Sequence, residues 1–374
     1  MPLLELQTDV VIIGGGIMGS VAAFHLANAG RKVILIEKKF VGWASSGVNA
    51  GGVRRQGRHP AELPLAQESL MDWMELLSLV GSTCGFEVCD TIRVAESEEQ
   101  MEKITDDIPY HAEAGVTLEP LDRARMKRIC PDFGDQVIGG TICRGDGQAN
   151  PRLVSPAFAM RAKEKGAIIR EREAVVSLEC GGKGVETVRT DKGIYRGEHV
   201  LNVSGVWGPQ VAEMAGDRVR VGFYLPQMIV TEKVRPFLRP VLGFAGRHLS
   251  FKQVPEGNLV LGGGRPGSGG PQEMRKDVQR ATMAAAARDV VEVFPILKDI
   301  RIIRSWVGIE GRPEDLIPII DRSPSRRNLI HAFGFSGHGF QLGLCVGRLL
   351  ARWITEGEPF LPIEAFNIRR VLIN

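Results

Sequence analysis

The chain has 374 residues, a formal net charge of +3 and 44% hydrophobic residues. This length suggests two packed domains, and the composition is that of a folded globular protein rather than of a disordered one. Lysine and arginine are scattered and form no basic run with interleaved aromatic residues, so nucleic acid is not an expected partner.

The first elements of the chain predict a β–α–β unit. Asp9–Ile13 is a β-branched run that favours a buried parallel strand, Ile17–Asn28 is predicted to be a helix, and Lys32–Glu37 a second strand. Although residues 10–30 are largely apolar, they contain three consecutive glycines and divide into strand, loop and helix. No transmembrane segment is therefore expected.

The rest of the chain shows both helical and strand patterns. Helices are predicted at Pro64–Val80, Ser97–Ala114, Pro151–Lys165, around Val211, at Gln272–Val293 and at Gly339–Thr355. Strands are predicted at Glu87–Ala95, Ala167–Glu171, Ala174–Leu178, His199–Val203 and Asn328–Ala332, with a hairpin formed by Gly184–Thr190 and Gly193–Glu198. Elements typical of nucleotide binding occur at the start, middle and end of the chain. This distribution predicts that the nucleotide-binding domain is discontinuous and that a β-rich domain is inserted into it in two pieces.

The six cysteines include no pair at C-x-x-C spacing. We therefore expect no zinc or iron–sulfur site, and no other metal site, within this chain. Unpaired thiols without a signal peptide favour a cytoplasmic protein.

The motif with the most specific chemistry is Gly14-x-Gly16-x-x-Gly19, which follows a strand and opens a helix. Gly14 permits the tight turn, Gly16 lets the backbone approach a pyrophosphate, and Gly19 lets the helix pack against the strand. Glu37 ends the second strand, where a carboxylate can accept both hydroxyls of a ribose. The unit predicts a dinucleotide site, whereas the alternative interpretation is a tight turn alone.

The segment Ala44–Arg54 favours FAD over NAD. It is rich in hydroxyl and glycine residues and lies close to the first glycine loop. The pyrophosphate and isoalloxazine of a flavin dinucleotide both need backbone donors, whereas a nicotinamide enzyme does not need this second segment. A solvated loop and an NAD-dependent enzyme are the alternatives.

These motifs, together with four later segments, resemble the D-amino-acid oxidase superfamily of flavoenzymes. The segments are Gly145–Pro151, Asn202–Pro209, Trp306–Asp321 and Gly334–Gln341. The resemblance is to the glycine oxidase and sarcosine oxidase branches and, more closely, to the β-subunits of heteromeric amino-acid dehydrogenases of the L-proline dehydrogenase type. It covers the whole chain in the family's order.

The resemblance implies an α/β and β-rich fold, with a discontinuous FAD-binding Rossmann domain like that of glutathione reductase and an inserted antiparallel-sheet substrate domain. Residues 1–83, 146–217 and 311–374 are assigned to the FAD domain, and residues 84–145 and 218–310 to the substrate domain. The residues predicted to bind the cofactor are Gly14, Gly16, Ile17, Met18, Gly19, Glu37, Lys38, Ser45, Ser46, Asn49, Ala50, Gly51, Gly52, Val175, Ser204, Gly205, Trp207, Gly308, Gly334, Gly337, His338, Gly339, Phe340 and Gln341.

Two regions are predicted to act in catalysis. The turn Gly334–Gln341 leads into a helix whose N-terminus can face the flavin N1/C2 edge and stabilise its reduced anion, and His338 is predicted beside the ring or, alternatively, as a cap of the turn. The resemblance implies that Arg312 holds the substrate carboxylate, as in the amino-acid oxidases, while Arg54 or Arg55 is the competing candidate. Lys252 and Gln253 are further candidates for the pocket.

Three positions depart from the covalent and oxygen-reactive relatives. Val307 follows Trp306, where sarcosine oxidases have the cysteine that tethers FAD. Dimethylglycine-type relatives have a histidine in the segment that corresponds to Trp43–Ser46, and no histidine occurs there in this chain. The resemblance therefore implies noncovalent FAD. Val260 takes the place of an oxygen-activating lysine, which favours transfer of the electrons to another subunit that carries an iron–sulfur cluster or a second flavin.

The sequence thus predicts oxidation of the C–N bond of a small secondary or N-substituted amino acid by hydride transfer to flavin N5. The chain is predicted to be the catalytic subunit of a heteromeric dehydrogenase. A stand-alone oxidase that releases hydrogen peroxide and a non-catalytic flavin-bearing assembly subunit remain the alternatives.

Overall fold

The fold is described from a computed structural model, which covers residues 4–182 and 184–373. The strands are β1 Leu4–Ile13, β2 Val33–Glu37, β3 Gly52–Val53, β4 Glu87–Ala95, β5 Leu118–Asp122, β6 Gly139–Gln148, β7 Ile168–Glu171, β8 Val175–Gly181, β9 Gly184–Thr190, β10 Gly193–Asn202, β11 Gly222–Tyr224, β12 Pro226–Lys233, β13 Val241–Phe244, β14 Leu249–Gln253, β15 Asn258–Pro266, β16 Ser268–Gly270, β17 Arg275–Asp277, β18 Ile302–Val307, β19 Glu310–Arg312, β20 Ile319–Arg322 and β21 Leu329–Phe333.

The helices are α1 Ile17–Asn28, α2 Ser45–Val48, α3 Leu63–Met74, α4 Leu76–Val80, α5 Glu98–Thr105, α6 Ile108–Glu113, α7 Arg123–Ile129, α8 Pro151–Glu164, α9 Gly208–Met214, α10 Arg280–Val293 and α11 Gly339–Glu356. Short 3₁₀ helices span Pro60–Glu62, Gly205–Trp207, Pro295–Leu297, Glu364–Phe366 and Ile368–Val371.

Two large sheets organise the described chain. One has eight strands in the order β20-β21-β10-β1-β2-β7, extended by β9 and β8, and its central pairs are parallel. The other has nine strands in the order β18-β12-β15-β14-β13-β4-β6-β3, with β5 on β6, and is antiparallel except between β4 and β13. This arrangement confirms the prediction of a discontinuous Rossmann-type domain with a separate sheet-rich domain, while the domain boundaries stay a prediction.

The parallel sheet forms because its central strands carry apolar, mostly β-branched residues that are buried on both faces. Helix α11 packs against α1 through two glycines. A Cβ on Gly343 would lie 2.5 Å from Cγ2 of Ile17, and a Cβ on Gly347 would lie 2.5 Å from Cβ of Val21. This close packing brings the N-termini of the two helices to the same edge of the sheet.

The nine-stranded sheet has one face committed to a hydrophobic core. Phe251 and Leu261 share this core with Val290 of α10 and with Phe294, which follows that helix. Side chains that alternate with these residues, such as Lys252, therefore face the opposite side of the sheet.

The helix Ile17–Asn28 and the strand Glu87–Ala95 begin and end as predicted, and the hairpin of β9 and β10 is confirmed. The separation of Gly193–Glu198 from His199–Val203 is wrong, because one strand continues through Gly197. That residue pairs with Thr8, and its missing side chain leaves room for the neighbouring strand.

Three predicted helices differ from the structure. The predicted helix Gln272–Val293 begins only at Arg280, because Gln227 binds both backbone groups of Gln279 and holds that residue in an extended conformation. The predicted helix Ser97–Ala114 is divided before Ile108, since Pro109 cannot supply the N–H that a continuous helix needs. The predicted helix Pro64–Val80 is likewise divided, at Glu75.

Candidate active site

A cavity opens at the carboxyl ends of β1, β2, β10 and β21. Ligands of doubly wound sheets bind at this edge, where the strand ends leave a crevice. Its lining extends from the first glycine loop past Glu37 to the turn before α11. The cavity therefore suits an extended ligand.

The first glycine loop forms a close cradle at one end of this cavity. Gly14 has φ +115°, and a Cβ there would lie 2.5 Å from the carbonyl oxygen of Val203. A Cβ on Gly19 would lie 2.0 Å from the carbonyl oxygen of Gly14. Because side chains cannot fit at either glycine, the loop and α1 keep the close packing that places the start of α1 at the cavity, where the N–H of Ile17 donates to Oγ of Ser46 at 2.9 Å.

Glu37 lies at the cavity with its carboxylate held from one side. Oε2 accepts a hydrogen bond from the N–H of Gly15 at 2.8 Å, and Oε1 accepts from the N–H of Lys39 and from Nε1 of Trp43, each at 2.8 Å. Burial raises the pKa of this carboxyl, and these donors counteract the rise. The fixed carboxylate keeps acceptor capacity, and its predicted contact with a ribose stays a prediction.

The second segment folds as a short helix that closes on itself. Asn49 donates to the carbonyl oxygens of Ser45 and Ser46 at 2.9 and 3.0 Å and accepts from the N–H of Gly51 at 2.7 Å. The hydroxyl of Ser45 donates to the carbonyl of Ile309. The bond from Ser45 connects the segment to the residue that precedes β19.

A buried polar chain supports the loop after β10. Asp217 Oδ2 lies 3.1 Å from Nε2 of His331, whose Nδ1 lies 3.0 Å from the amide nitrogen of Asn202. The amide oxygen of Asn202 accepts from the hydroxyl of Ser204 at 2.6 Å. If the Asn202 amide donates to Nδ1, the Nε2–H of His331 donates to Asp217. This chain fixes Ser204 at the wall of the cavity.

The turn before α11 forms the other end of the cavity. Gly334 and Gly337 have φ values of +77° and +84°, which favour glycine. His338 is directed away from the cavity, with Nδ1 at 2.8 and 3.0 Å from the two carboxylate oxygens of Glu62. Burial and the charge of Arg58 lower the pKa of this histidine to about 4. The side chain of His338 makes no capping hydrogen bond to α11, and its predicted position beside the ring stays a prediction.

Two arginines lie together behind this turn. Arg58 is 4% exposed, donates to the carbonyl oxygen of Arg54 at 3.0 and 3.2 Å, and has an Nη1 without a hydrogen-bond partner among the described residues. Arg54 is half-buried, and its Nη1 donates to the carbonyl of Gln56. Burial and the neighbouring Arg54 lower the pKa of Arg58 to about 9. Burial and the charge of Arg93 on β4 lower the pKa of Arg54.

The other arginine candidates have different surroundings. Arg55 forms an ion pair with the buried Asp146, at 2.7 Å between Nε and Oδ1, and is committed to the protein itself. Arg312 is exposed, with its guanidinium 5.1 Å from the centre of the Tyr224 ring. Of the carboxylate candidates, Arg54 therefore lies in the more enclosed position.

Lys252 is 4% exposed and faces the second glycine segment. Its Nζ lies 3.4 Å from the carbonyl oxygen of Ala149 and would lie 3.0 Å from a Cβ on Gly51. Lys252 is the direct cross-strand partner of Val260, so the two side chains occupy the same face of the sheet. Gln253 instead bonds to the backbone around Phe237 and supports that loop.

The predicted cofactor residues divide into two groups. Those that line the cavity are Gly14, Gly16, Ile17, Met18, Glu37, Lys38, Ser45, Ser46, Asn49, Val175, Ser204, Gly205, Trp207, Gly334, Gly337, Gly339 and Phe340. Those outside its lining are Gly19, Ala50, Gly51, Gly52, Gly308, His338 and Gln341. Gly19 permits the helix packing, and Gln341 bonds to the backbone of Ala66 at 2.8 Å, so these two act on the shape of the site.

Sequence reasoning missed three charged residues of this region, namely Arg58, Glu62 and Glu310. Glu310 lines the cavity, and the other two form the polar cluster behind the turn. The alternation on β19 was a usable signal, since Glu310 and Arg312 lie two residues apart on one face of the strand. The contact of Glu62 with His338 joins residues far apart in the chain and has no local signal.

These features place the chain in a family. The chain belongs to the DAO family of FAD-dependent oxidoreductases, because the family model, described as FAD dependent oxidoreductase, matches residues 9–353. The family resemblance seen in the sequence is thereby confirmed.

Two related proteins and one solved structure are similar to most of this chain. Sarcosine oxidase subunit beta of Rhizobium meliloti (strain 1021) is 28% identical over 373 residues, which cover 97% of this chain and 88% of that protein. Mitochondrial dimethylglycine dehydrogenase of Rattus norvegicus is 27% identical over 380 residues, which cover 94% of this chain but 43% of that protein. The crystal structure of L-proline dehydrogenase from P. horikoshii has a TM-score of 0.91 at 26% identity, with 98% of both chains covered.

Two further findings concern the described residues alone. Within residues 4–182 and 184–373, no group of three or more His, Cys, Asp or Glu side chains is placed to hold a metal ion. No helix in this part of the chain has the length and apolar character needed to cross a membrane.

The polar chain behind Ser204 leads to a prediction for cofactor affinity. In Asn202→Leu, the Ser204 hydroxyl loses its acceptor, and we expect the dissociation constant of FAD to rise about 5- to 30-fold, from a buried hydrogen bond of about 1–2 kcal/mol. Titration of the apoprotein with FAD, followed by flavin fluorescence, measures this change. Asn258→Leu makes the same change in the nine-stranded sheet and should leave the affinity unaltered. Equal affinities of the two variants would contradict the role of the chain.

Proposed function

We propose that the chain oxidises the C–N bond of a small secondary or N-substituted amino acid with noncovalently bound FAD. We also propose that it does so as the catalytic subunit of a cytoplasmic heteromeric dehydrogenase. Its similarity to sarcosine oxidase subunit beta and to L-proline dehydrogenase supports the substrate class and the role of a subunit. Its six free cysteines are compatible with a reducing compartment.

The observation that carries this proposal is the buried guanidinium of Arg58 beside Arg54. A buried cation is costly unless an anion compensates it, and Nη1 of Arg58 has no partner among the described residues. The carboxylates of Glu62 and Asp146 counteract the fall that burial causes in the pKa of Arg58, but neither forms a hydrogen bond to its Nη1. A substrate carboxylate near these two guanidiniums would accept a hydrogen bond from that unused N–H and fix the substrate beside the Gly337–Gly339 turn.

The residues of the cavity fit FAD. The glycine loop and the start of α1 would hold the pyrophosphate, Glu37 the ribose, and the turn before α11 the ring system. When bound, FAD supplies the two-electron oxidation of the C–N bond, and the protein contributes orientation and electrostatics. Among the described residues, the cavity lining contains no cysteine or histidine, which supports noncovalent binding.

One observation favours the alternative of a stand-alone oxidase. Val260 provides no cation, but Lys252 lies directly opposite it, and its ammonium reaches Gly51 in the second glycine segment. Burial lowers the pKa of Lys252 to about 8, so this lysine is largely charged at neutral pH. A cation at this position would stabilise superoxide and assist reaction with oxygen.

Anaerobic mixing with an amino-acid panel tests the proposed function. We expect L-proline, sarcosine or another secondary amino acid to bleach the flavin absorbance of the purified chain, whereas the matching N-acetylated acid should not. A yellow protein that no amino acid in the panel bleaches would contradict the proposal and support a non-catalytic flavin subunit. Oxygen consumption with the bleaching substrate separates the two catalytic forms, since rapid peroxide release identifies the oxidase.

A further inference from the structure

Glu310 lines the cavity where β19 meets the glycine turn before α11. A Cβ built on Gly337 would lie 3.6 and 3.8 Å from the two carboxylate oxygens, so the acid lies directly against the turn. Neither the proposed cofactor contacts nor the arginine pair uses this carboxyl. Its position places a free acid at the end of the cavity that is proposed to hold the ring and the substrate.

The groups around Glu310 come from each neighbouring element. Arg312 lies on the same face of β19, and Tyr224 on β11 is the direct cross-strand partner of Glu310. The turn contributes the backbone of Gly337, while His338 is directed to Glu62 on the other side. Burial raises the pKa of Glu310 to about 7, and the charge of Arg312 and the Gly337 N–H counteract the rise.

We propose that Glu310 is the catalytic base that accepts a proton from the substrate ammonium. One N–H bond of the substrate breaks and one O–H bond forms on the carboxylate, while the electron pair stays on the substrate nitrogen. No electron leaves the substrate in this step. The proposal rests on the proposed function, because it requires an amino-acid substrate.

The chemistry of an amino acid makes such a base useful. Near neutral pH its amine is protonated, and a C=N bond can form only once the nitrogen has a free electron pair. A base works best when its pKa lies near the working pH, and burial brings Glu310 close to that range.

The pH dependence of anaerobic flavin reduction tests this assignment. Wild type, Glu310→Gln and Glu310→Asp are mixed with the amino acid of the panel that bleaches the wild type fastest, between about pH 5.5 and 9.5. For the wild type, the second-order rate constant should rise about tenfold per pH unit and level off above about pH 7, as the carboxyl loses its proton. Glu310→Gln should be about 10²- to 10⁴-fold slower at about pH 8 and lack this rise, whereas Glu310→Asp should keep it.

Two controls separate catalysis from folding. Glu314→Gln changes an exposed acid after the same strand and should keep the wild-type profile. Tetrahydrofuran-2-carboxylate, which has a ring oxygen in place of the proline nitrogen, should bind wild type and Glu310→Gln with dissociation constants equal within about twofold, measured from the flavin spectrum. Arg312→Met should move the rise to higher pH, because the cation that lowers the pKa of Glu310 is gone.

Each outcome bears on the assignment. A Glu310→Gln variant with the wild-type profile would overturn it while leaving the proposed function intact. A parallel loss of tetrahydrofuran-2-carboxylate binding would also overturn it and show a structural role. If the wild-type flavin is bleached by no amino acid, the proposed function fails and this assignment fails with it.

Discussion

The Gly19→Ala variant is expected to purify without flavin. A Cβ at this position would lie 2.0 Å from the carbonyl oxygen of Gly14 and 3.1 Å from Cγ2 of Val203, so either the loop or the helix must move. Both contribute the N–H groups proposed for the pyrophosphate. We expect the dissociation constant of FAD to rise by about 100-fold or more, equivalent to about 2.7 kcal/mol, in a direct titration of the apoprotein.

Gly30→Ala is the matched control at the other end of the same helix. Gly30 also has a positive φ, of +77°, but a Cβ there would have no atom within 4 Å. Backbone strain should therefore lower the free energy of unfolding by about 1–2 kcal/mol, and the FAD affinity should not change. If Gly19→Ala binds FAD like the wild type while its circular dichroism is also unchanged, the close packing at the loop is not what shapes the cofactor site.

Arg54→Met is expected to weaken substrate capture strongly. A hydrogen bond to a charged group contributes about 1.5–3 kcal/mol, so the substrate concentration for half-maximal flavin bleaching should rise about 10- to 150-fold. The apoprotein should keep its melting temperature or gain a few degrees, because the change removes a cation that lies close to Arg93 and Arg58. This combination of weaker binding and unchanged stability distinguishes a ligand-binding arginine from a structural one.

Arg312→Met is the comparison that decides between the two predicted carboxylate partners. Arg312 is exposed and lies over Tyr224, so we expect its loss to change the half-maximal substrate concentration less than about threefold at a pH well above 7. A large effect at Arg312 together with a small one at Arg54 would reverse the assignment and place the carboxylate on the exposed side of the cavity.

The cofactor end of the site is predictable from the sequence because its signals are local. Gly14, Gly16 and Gly19 lie within six positions of one another, and Glu37 follows at the end of the next strand. The glycines act through the backbone geometry of their turn, and Glu37 acts through a carboxylate that the end of its strand positions. The structure accordingly has the helix Ile17–Asn28 with the predicted bounds.

The substrate end is much less predictable because it is assembled from distant segments. Arg58 acquires its position from Arg54 and Gln341, and His338 is drawn to Glu62, which lies near the start of the chain. The pattern of residues within one segment cannot predict contacts between segments that are far apart in the chain. The late start of α10 has the same origin, since a side chain on another strand holds Gln279.

The order of strands in the parallel sheet has a consequence for biosynthesis. Strand β1 is translated long before its partner β10, which begins only at Gly193, and β21 and α11 follow from Leu329 onward. The cavity therefore cannot close on its cofactor until α11 has been translated. Since a ligand that binds only the native state stabilises it by mass action, the supply of FAD acts on the final assembly step rather than on early intermediates. Flavin shortage in a producing cell should accordingly leave full-length chains open to proteases, instead of stalled fragments.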